Sequence, residues 1–178
     1  EVFFGTQNSG FLSSGTSDMP AGYDPVKRPW YETALKSPDK PSVSDVYVST
    51  TGDVVISFMN PIKRDGSIVG VAGIDVSLIV LTELIDSIKL GKTGFLMVVQ
   101  NDGVIIANPK NKDMNSKKLT ELEEKDFAKL QEMKEGQTTV RFNKKTYQAV
   151  VYFSEDLNWK IIGFMEKGEI MGSTYKVI

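Results

Sequence analysis

The chain has 178 residues, 40% of them hydrophobic and 25% charged, with a formal net charge of −2; this is the profile of a soluble globular protein of one large or two small domains. That balance argues against a nucleic-acid partner, since the densest basic run, Lys110 to Lys118, is interleaved with Asn, Asp and Ser. Cysteine and histidine are both absent, which removes disulfides, thiolate metal sites, the commonest metal ligand and the commonest general base. No metal and no other cofactor is expected, and any catalysis would rest on carboxylates.

Glu1 to Gly5 and Gly10 to Ser14 read as short strands flanking Thr6-Gln7-Asn8-Ser9, a hairpin. A Ser/Gly/Pro loop then leads into Tyr23-Asp24-Pro25-Val26-Lys27-Arg28-Pro29-Trp30-Tyr31. A residue before proline is driven extended and proline suits the first helical position, so a helix is predicted from Pro29 to Lys36, ended by Ser37-Pro38-Asp39-Lys40-Pro41. This sets a guanidinium and an indole beside the free N–H groups of a helix start, an arrangement that favours anions. Read alone, the same residues serve equally as a surface turn whose aromatics cap a core.

Val43 to Ser49 alternates, with Val46 and Val48 on one face and Asp45, Tyr47 and Ser49 on the other. Val54 to Pro61 and Ser67 to Asp75 follow as strands around Arg64-Asp65-Gly66, and the apolar run in the second predicts a central strand covered on both faces. Ile68 to Ile88 is interrupted by Asp75, Thr82, Glu83 and Asp86, so it reads as a strand followed by a helix over Val76 to Leu90 rather than a membrane span. Asp75 fits the N-cap of that helix as well as it fits a pocket carboxylate. No signal peptide is visible, and both ends read as cut, as in an excised domain.

Beyond Gly91-Lys92-Thr93-Gly94, Phe95 to Val99 and Val104 to Ala107 flank Gln100-Asn101-Asp102-Gly103, a strong hairpin signal. A charged helix is predicted over Thr120 to Lys134, then strands at Thr138 to Phe142, Thr146 to Phe153 and Trp159 to Met165. Each half thus runs strand, turn, strand, helical connection and three strands. The expected fold class is α+β, a duplication of five-stranded antiparallel sheets with helices on one side, which resembles the PAS-like sensor fold. The boundary is placed between residues 1–90 and 91–178.

Tyr23, Arg28, Trp30 and Tyr31, followed by Tyr47 and Asp75, resemble the signature of double Cache (dCache) sensor domains. These belong to bacterial methyl-accepting chemotaxis proteins and sensor kinases, here in the subset that binds free amino acids. Gly94 to Val99 with Asp102-Gly103 and Asn108-Pro109 is similar to the membrane-proximal Cache module, so the resemblance covers nearly the whole chain. It implies two tandem Cache modules, a distal one holding the ligand pocket and a proximal one. It further implies an extracellular or periplasmic domain of a membrane-anchored, homodimeric receptor that binds an amino acid or related amine and is not an enzyme. In the implied roles Arg28 holds the α-carboxylate with help from Trp30 and Tyr23, Asp75 and Tyr47 take the α-ammonium, and Tyr31 is counted with them as ligand-binding, although its place in the helix fits packing better than ligand contact. Two departures stand out: the long N-terminal helix and its membrane span do not precede the first sheet, and Ser49 stands where members often carry an acidic residue.

Two further readings come from other classes. A hydrolase could pair Asp45 with Asp75, or Asp53 with Asp102, although no Gly-x-Ser-x-Gly motif occurs. A structural or dimerisation module would bind no small ligand. Thr51, Asp53 and Ser57 are open candidates for pocket lining. The second half has no Arg-x-Trp-Tyr run, so its pocket is expected to be small or filled, and Gly168 to Ile178 is expected to carry the output.

Overall fold

A computed structural model describes residues 1–16 and 18–174, apart from the side chains of 173 and 174; the last four residues of the expected output segment lie outside it. Two compact units form, Glu1–Leu78 and Ile79–Ile178. The first is built on β1 (Val2–Thr6), β2 (Phe11–Ser13), α1 (Pro29–Leu35), β3 (Ser42–Val43), β4 (Tyr47–Val48), β5 (Val54–Arg64) and β6 (Ser67–Ser77). Its antiparallel sheet has the order β2-β1-β6-β5-β3, with β4 also on β5. The second follows α2 (Leu78–Ser87) with β7 (Phe95–Gln100), β8 (Ile105–Ala107), α3 (Phe127–Glu132), β9 (Gly136–Phe142), β10 (Lys145–Ser154), β11 (Trp159–Glu166) and α4 (Lys167–Thr174). Its order, β8-β7-β11-β10-β9, is the same winding. All but the first residue of α2 groups with the second unit, earlier in the chain than the expected boundary at residue 91.

Local chemistry explains most of these elements. Asp65 and Gly66, and likewise Asn143 and Lys144, take positive φ (51° and 80°, 47° and 62°), the two-residue hairpin geometry whose twist matches the strands it joins. Arg28 is extended at φ −89°, ψ 146°, ahead of Pro29 in the first turn of α1. Asp24 caps the 3-10 turn Pro25–Lys27 by accepting from the Val26 N–H. The Trp30, Tyr31 and Ala34 side chains bury α1 in a cluster with Phe3, Met59 and Val71. Gly5 is required there, because a Cβ would stand 2.7 Å from the Trp30 ring.

Three expectations change. The strand expected over Val43 to Ser49 is broken into β3 and β4, because Ser44 turns inward: its N–H donates to the Ser57 carbonyl and its hydroxyl accepts from the Ser57 N–H. The helix expected from Thr120 shrinks to a 3-10 turn, Leu119–Glu121, and the short α3. Leu122 goes extended between them and packs on the core. Finally, β6 is central in its sheet but has one open face, on which Ile74 is 49% exposed.

The second unit has the larger apolar interior, centred on Phe95, Phe127, Phe142, Tyr147 and Phe164. Lys160 is buried in it, with its ammonium donating to the Leu130 and Gln131 carbonyls at the end of α3. In the same unit Glu169 of α4 accepts from the Lys92 and Thr93 N–H groups, each at 2.8 Å, and from the Thr93 hydroxyl. Among the described residues no helix is long and apolar enough to cross a membrane.

Candidate functional site

Alternate residues of a strand face the same side, and on the inner face of the first sheet this brings a short polar row together. Glu1 and Asp75 exchange backbone hydrogen bonds (Asp75 N–H to Glu1 O 2.8 Å, Glu1 N to Asp75 O 3.1 Å), which makes them direct cross-strand neighbours. Ser57 of β5 is the register partner of Asp75 on its other side. The fully buried Ser57 hydroxyl donates to Asp75 Oδ1 at 2.5 Å. From β4, the Tyr47 hydroxyl lies 2.7 Å from Ser57 Oγ and donates to the same Asp75 Oδ1 at 3.1 Å. Both hydroxyls thus hold one carboxylate oxygen, and Asp75 Oδ2 has no hydrogen-bond partner among the described residues.

The opposite pole comes from the start of α1. Arg28 stacks its guanidinium 5.8 Å from the centre of the Tyr23 ring, and Tyr23 meets Phe11 edge-on at 4.9 Å. Arg28 Nε is buried and has no hydrogen-bond partner among the described residues. A buried donor left unpaired is costly, so the position is suited to an acceptor brought from outside.

Tyr23, Arg28, Trp30, Tyr47 and Asp75, five of the six residues singled out in the sequence, line one cavity of about 20 Å³. Phe3, Phe11 and Met19 give it an apolar wall, and Glu1, Ser49 and Thr50 complete its rim. Tyr31 does not line it; this side chain is buried beside Trp30, with ring centres 5.3 Å apart, in the apolar cluster. Asp75 belongs to β6, and its side chain accepts hydroxyls from neighbouring strands, so the helix-cap reading does not hold. Thr51 and Asp53 bond to Ser49 and to each other in a surface turn and do not line the cavity. Asp102 lies in the second unit, 3.7 Å from Lys118. Among the described residues no cluster of carboxylates could hold a metal ion.

Burial raises the Asp75 carboxyl above its ordinary range; the Ser57 and Tyr47 hydrogen bonds oppose this and the charge of Glu1 adds to it. The Tyr47 hydroxyl is pushed up strongly, mainly by burial, and so remains a proton donor. The Tyr23 hydroxyl is also raised by burial, offset in part by a hydrogen bond with Trp30 and by the charge of Arg28.

Sequence reasoning left Ser57 undecided and passed over Glu1, Met19 and Thr50. Strand alternation and the pairing of Ser57 with Asp75 were the signals that could have found the first. In the second unit Phe95 and Phe164 occupy the inner face instead, stacked at 4.7 Å and 6°. Among the described residues its recesses include open clefts of about 520 Å³ beside Lys134 and Asp156 and about 490 Å³ beside Glu123 and Lys144.

Two antiparallel sheets of the same winding, with a polar pocket on the first, are therefore the class of protein that the geometry defines. The Cache-domain family model dCache_1 matches residues 1–174, and the chain belongs to that family. It is similar to the methyl-accepting chemotaxis protein McpB of Bacillus subtilis, 29% identical over 99% of this chain and 26% of that protein. It is also similar to the methyl-accepting chemotaxis protein PctB of Pseudomonas aeruginosa, 30% identical over 72% of this chain and 20% of that protein. The chain thus spans about a fifth to a quarter of the length of these receptors. Among solved structures, the ligand-binding domain of PctB in complex with L-Arg superposes with a TM-score of 0.76 at 25% identity, covering 95% of this chain and 72% of that one. The ligand-binding domain of the Pseudomonas fluorescens chemoreceptor CtaA in complex with L-isoleucine gives 0.77 at 26% identity, covering 97% and 71%.

Proposed function

We propose that this chain is the extracytoplasmic sensing part of a membrane-anchored, homodimeric chemoreceptor, and that its first unit binds a free amino acid. The observation that carries the reading is the pairing, across one small cavity, of an unpartnered buried Arg28 Nε with an Asp75 carboxylate held by only one of its oxygens. A zwitterion needs two opposite poles a few ångströms apart in a partly dry site. Arg28 grips the ligand carboxylate through its planar fork, and the Trp30 indole and Tyr23 hydroxyl wall that end. Asp75 Oδ2 accepts from the ligand ammonium, with the Tyr47 and Ser57 hydroxyls fixing the carboxylate from behind. The amino acids bound by PctB and CtaA and the chemotactic role of the relatives support this reading over a hydrolase or a ligand-free module.

The cavity of about 20 Å³ has room for roughly one water, so its cover must part to admit an amino acid. Met19 and Thr50 line the cavity and meet through a weak hydroxyl–sulfur contact of 3.9 Å, which makes them candidates for the part that moves. A ligand that bridges Arg28 and Asp75 favours whichever arrangement it binds more tightly, and that differential affinity is the free energy available for signalling. The second unit, with its filled interior, serves as the relay. The test is a thermal-shift and calorimetric screen of the twenty amino acids and close amine relatives. Binding adds about 2.7 kcal/mol of stability at a ligand concentration 100 times Kd, a rise of several degrees in Tm; no shift and no heat with any of them refutes the reading.

A further inference from the structure

The acidic pole of the pocket is not a single carboxylate. Glu1 faces Asp75 directly across the strand pair, lines the same cavity, and its charge acts on both Asp75 and Tyr23. Like charges directly opposite on neighbouring strands repel, so this pair is a cost to the sheet. Its carboxylate keeps its orientation through the Ser13 hydroxyl on β2. Among the described residues, Arg28 is the one cationic side chain that lines the cavity. A zwitterionic ligand neutralises Arg28 and Asp75 pairwise, and the Glu1 charge is then left over.

We infer that Glu1 is a specificity-determining residue that restricts the site to amino acids with a neutral or cationic side chain and turns away the dicarboxylic ones. The inference rests on the amino-acid reading above and adds the ligand class. A ligand with a second carboxylate brings a second anion into a cavity whose lining cation is already used, a few ångströms from Glu1. A neutral isostere of the same shape brings none. Glu1 is exposed to solvent, so its field is screened and the expected discrimination is about 5- to 10-fold rather than absolute.

The test compares isosteric pairs by calorimetry, glutamine with glutamate and asparagine with aspartate, in the wild type and in Glu1→Gln. Both proteins carry an acetylated α-amino group, so that the terminal ammonium does not offset the carboxylates. Glutamine still accepts from Ser13, and a thermal melt verifies that the variant is folded. The expected result is a wild-type preference for each neutral partner, reduced at least ~3-fold in Glu1→Gln and weakened by added salt. A dicarboxylic amino acid that binds as well as its amide, or a preference that survives Glu1→Gln unchanged, overturns the inference while leaving amino-acid binding intact. If no amino acid binds the wild type, the underlying reading falls and takes this one with it.

Discussion

The same row of the same sheet is spent differently in the two units. Along the adjacent strands β1, β6 and β5 it reads Glu1 (just ahead of β1), Asp75, Ser57, and along β7, β11 and β10 it reads Phe95, Phe164, Ala149. Winding and strand order are shared, so topology does not decide between a pocket and a packed core. Three side chains do. In the second unit the row is dry, and its two rings stack in a continuous apolar interior. In the first it holds a carboxylate that burial disfavours, and the local apolar cluster is correspondingly smaller. The comparison teaches that a polar pocket on this scaffold is made by giving up core, at a cost that the unit carries permanently.

The largest expected effect tests the filled side of the comparison. Phe164→Ala should cost about 3–5 kcal/mol of stability, read as a lowered denaturation midpoint, and a loss below ~1 kcal/mol would mean that this row is not the second unit's core. The matching change in the first unit, Asp75→Asn, should act the other way round. Removing one partner of a desolvated charged contact costs roughly 2–5 kcal/mol of binding, at least ~30-fold in Kd, while the fold should lose nothing. The sign follows from linkage. Burial raises the folded-state carboxyl pKa of Asp75, so the stability linked to its proton is present below the unfolded pKa and lost as pH rises through the folded one. At neutral pH the wild type therefore bears a cost that asparagine lacks, and Tm should be equal or slightly higher in the variant. Because the ligand ammonium favours the ionised carboxylate, wild-type affinity should fall on acidification through a window above the ordinary carboxylate range. Asp75→Asn should abolish that dependence, and calorimetry at several pH values checks both statements.

A smaller effect is expected at Ser57. Ser57→Ala removes one hydrogen bond to Asp75 Oδ1 and one neighbour of the Tyr47 hydroxyl, worth about 1–1.5 kcal/mol, or roughly 5- to 10-fold in Kd. It should also move the acid limb of the affinity profile to higher pH, because the lost bond is one that lowers the Asp75 pKa; a serine acting only as packing would leave that limb in place. The smallest effect is assigned to Tyr31→Phe, which should leave Kd within about 2-fold, since this ring sits in the apolar cluster and does not line the cavity. A larger loss would extend the site towards the core and blur the contrast between the units.

Much of the scaffold could be read from the chain because its signals are local. The Asp65-Gly66 turn, the Val/Ile runs on either side of it and the Pro29 helix start are each decided within a few residues. The Arg28 and Trp30 end of the site could be read for the same reason. The Asp75 end is harder, because its neighbours Glu1, Tyr47 and Ser57 are distant in sequence and become a group only through strand register. Just ahead of a helical run, an aspartate has the same local pattern whether it caps or binds. Tyr31 shows the converse limit: adjacent helical residues point about 100° apart, yet both are buried here, and only the assembled unit shows which one faces the cavity.

The distribution of indoles has a practical consequence. The chain has two tryptophans, and they fall one to each unit: Trp30 in the cavity wall, 4.6 Å from the Phe3 ring centre, and Trp159 at the head of β11, 6% exposed. Indole emission responds to the polarity and charge within a few ångströms. Occupation of the pocket therefore perturbs one emitter while the other supplies a constant background from the same molecule. In a Trp159→Phe protein the whole signal would come from the pocket wall, which makes the domain a dye-free optical reporter of its own ligand.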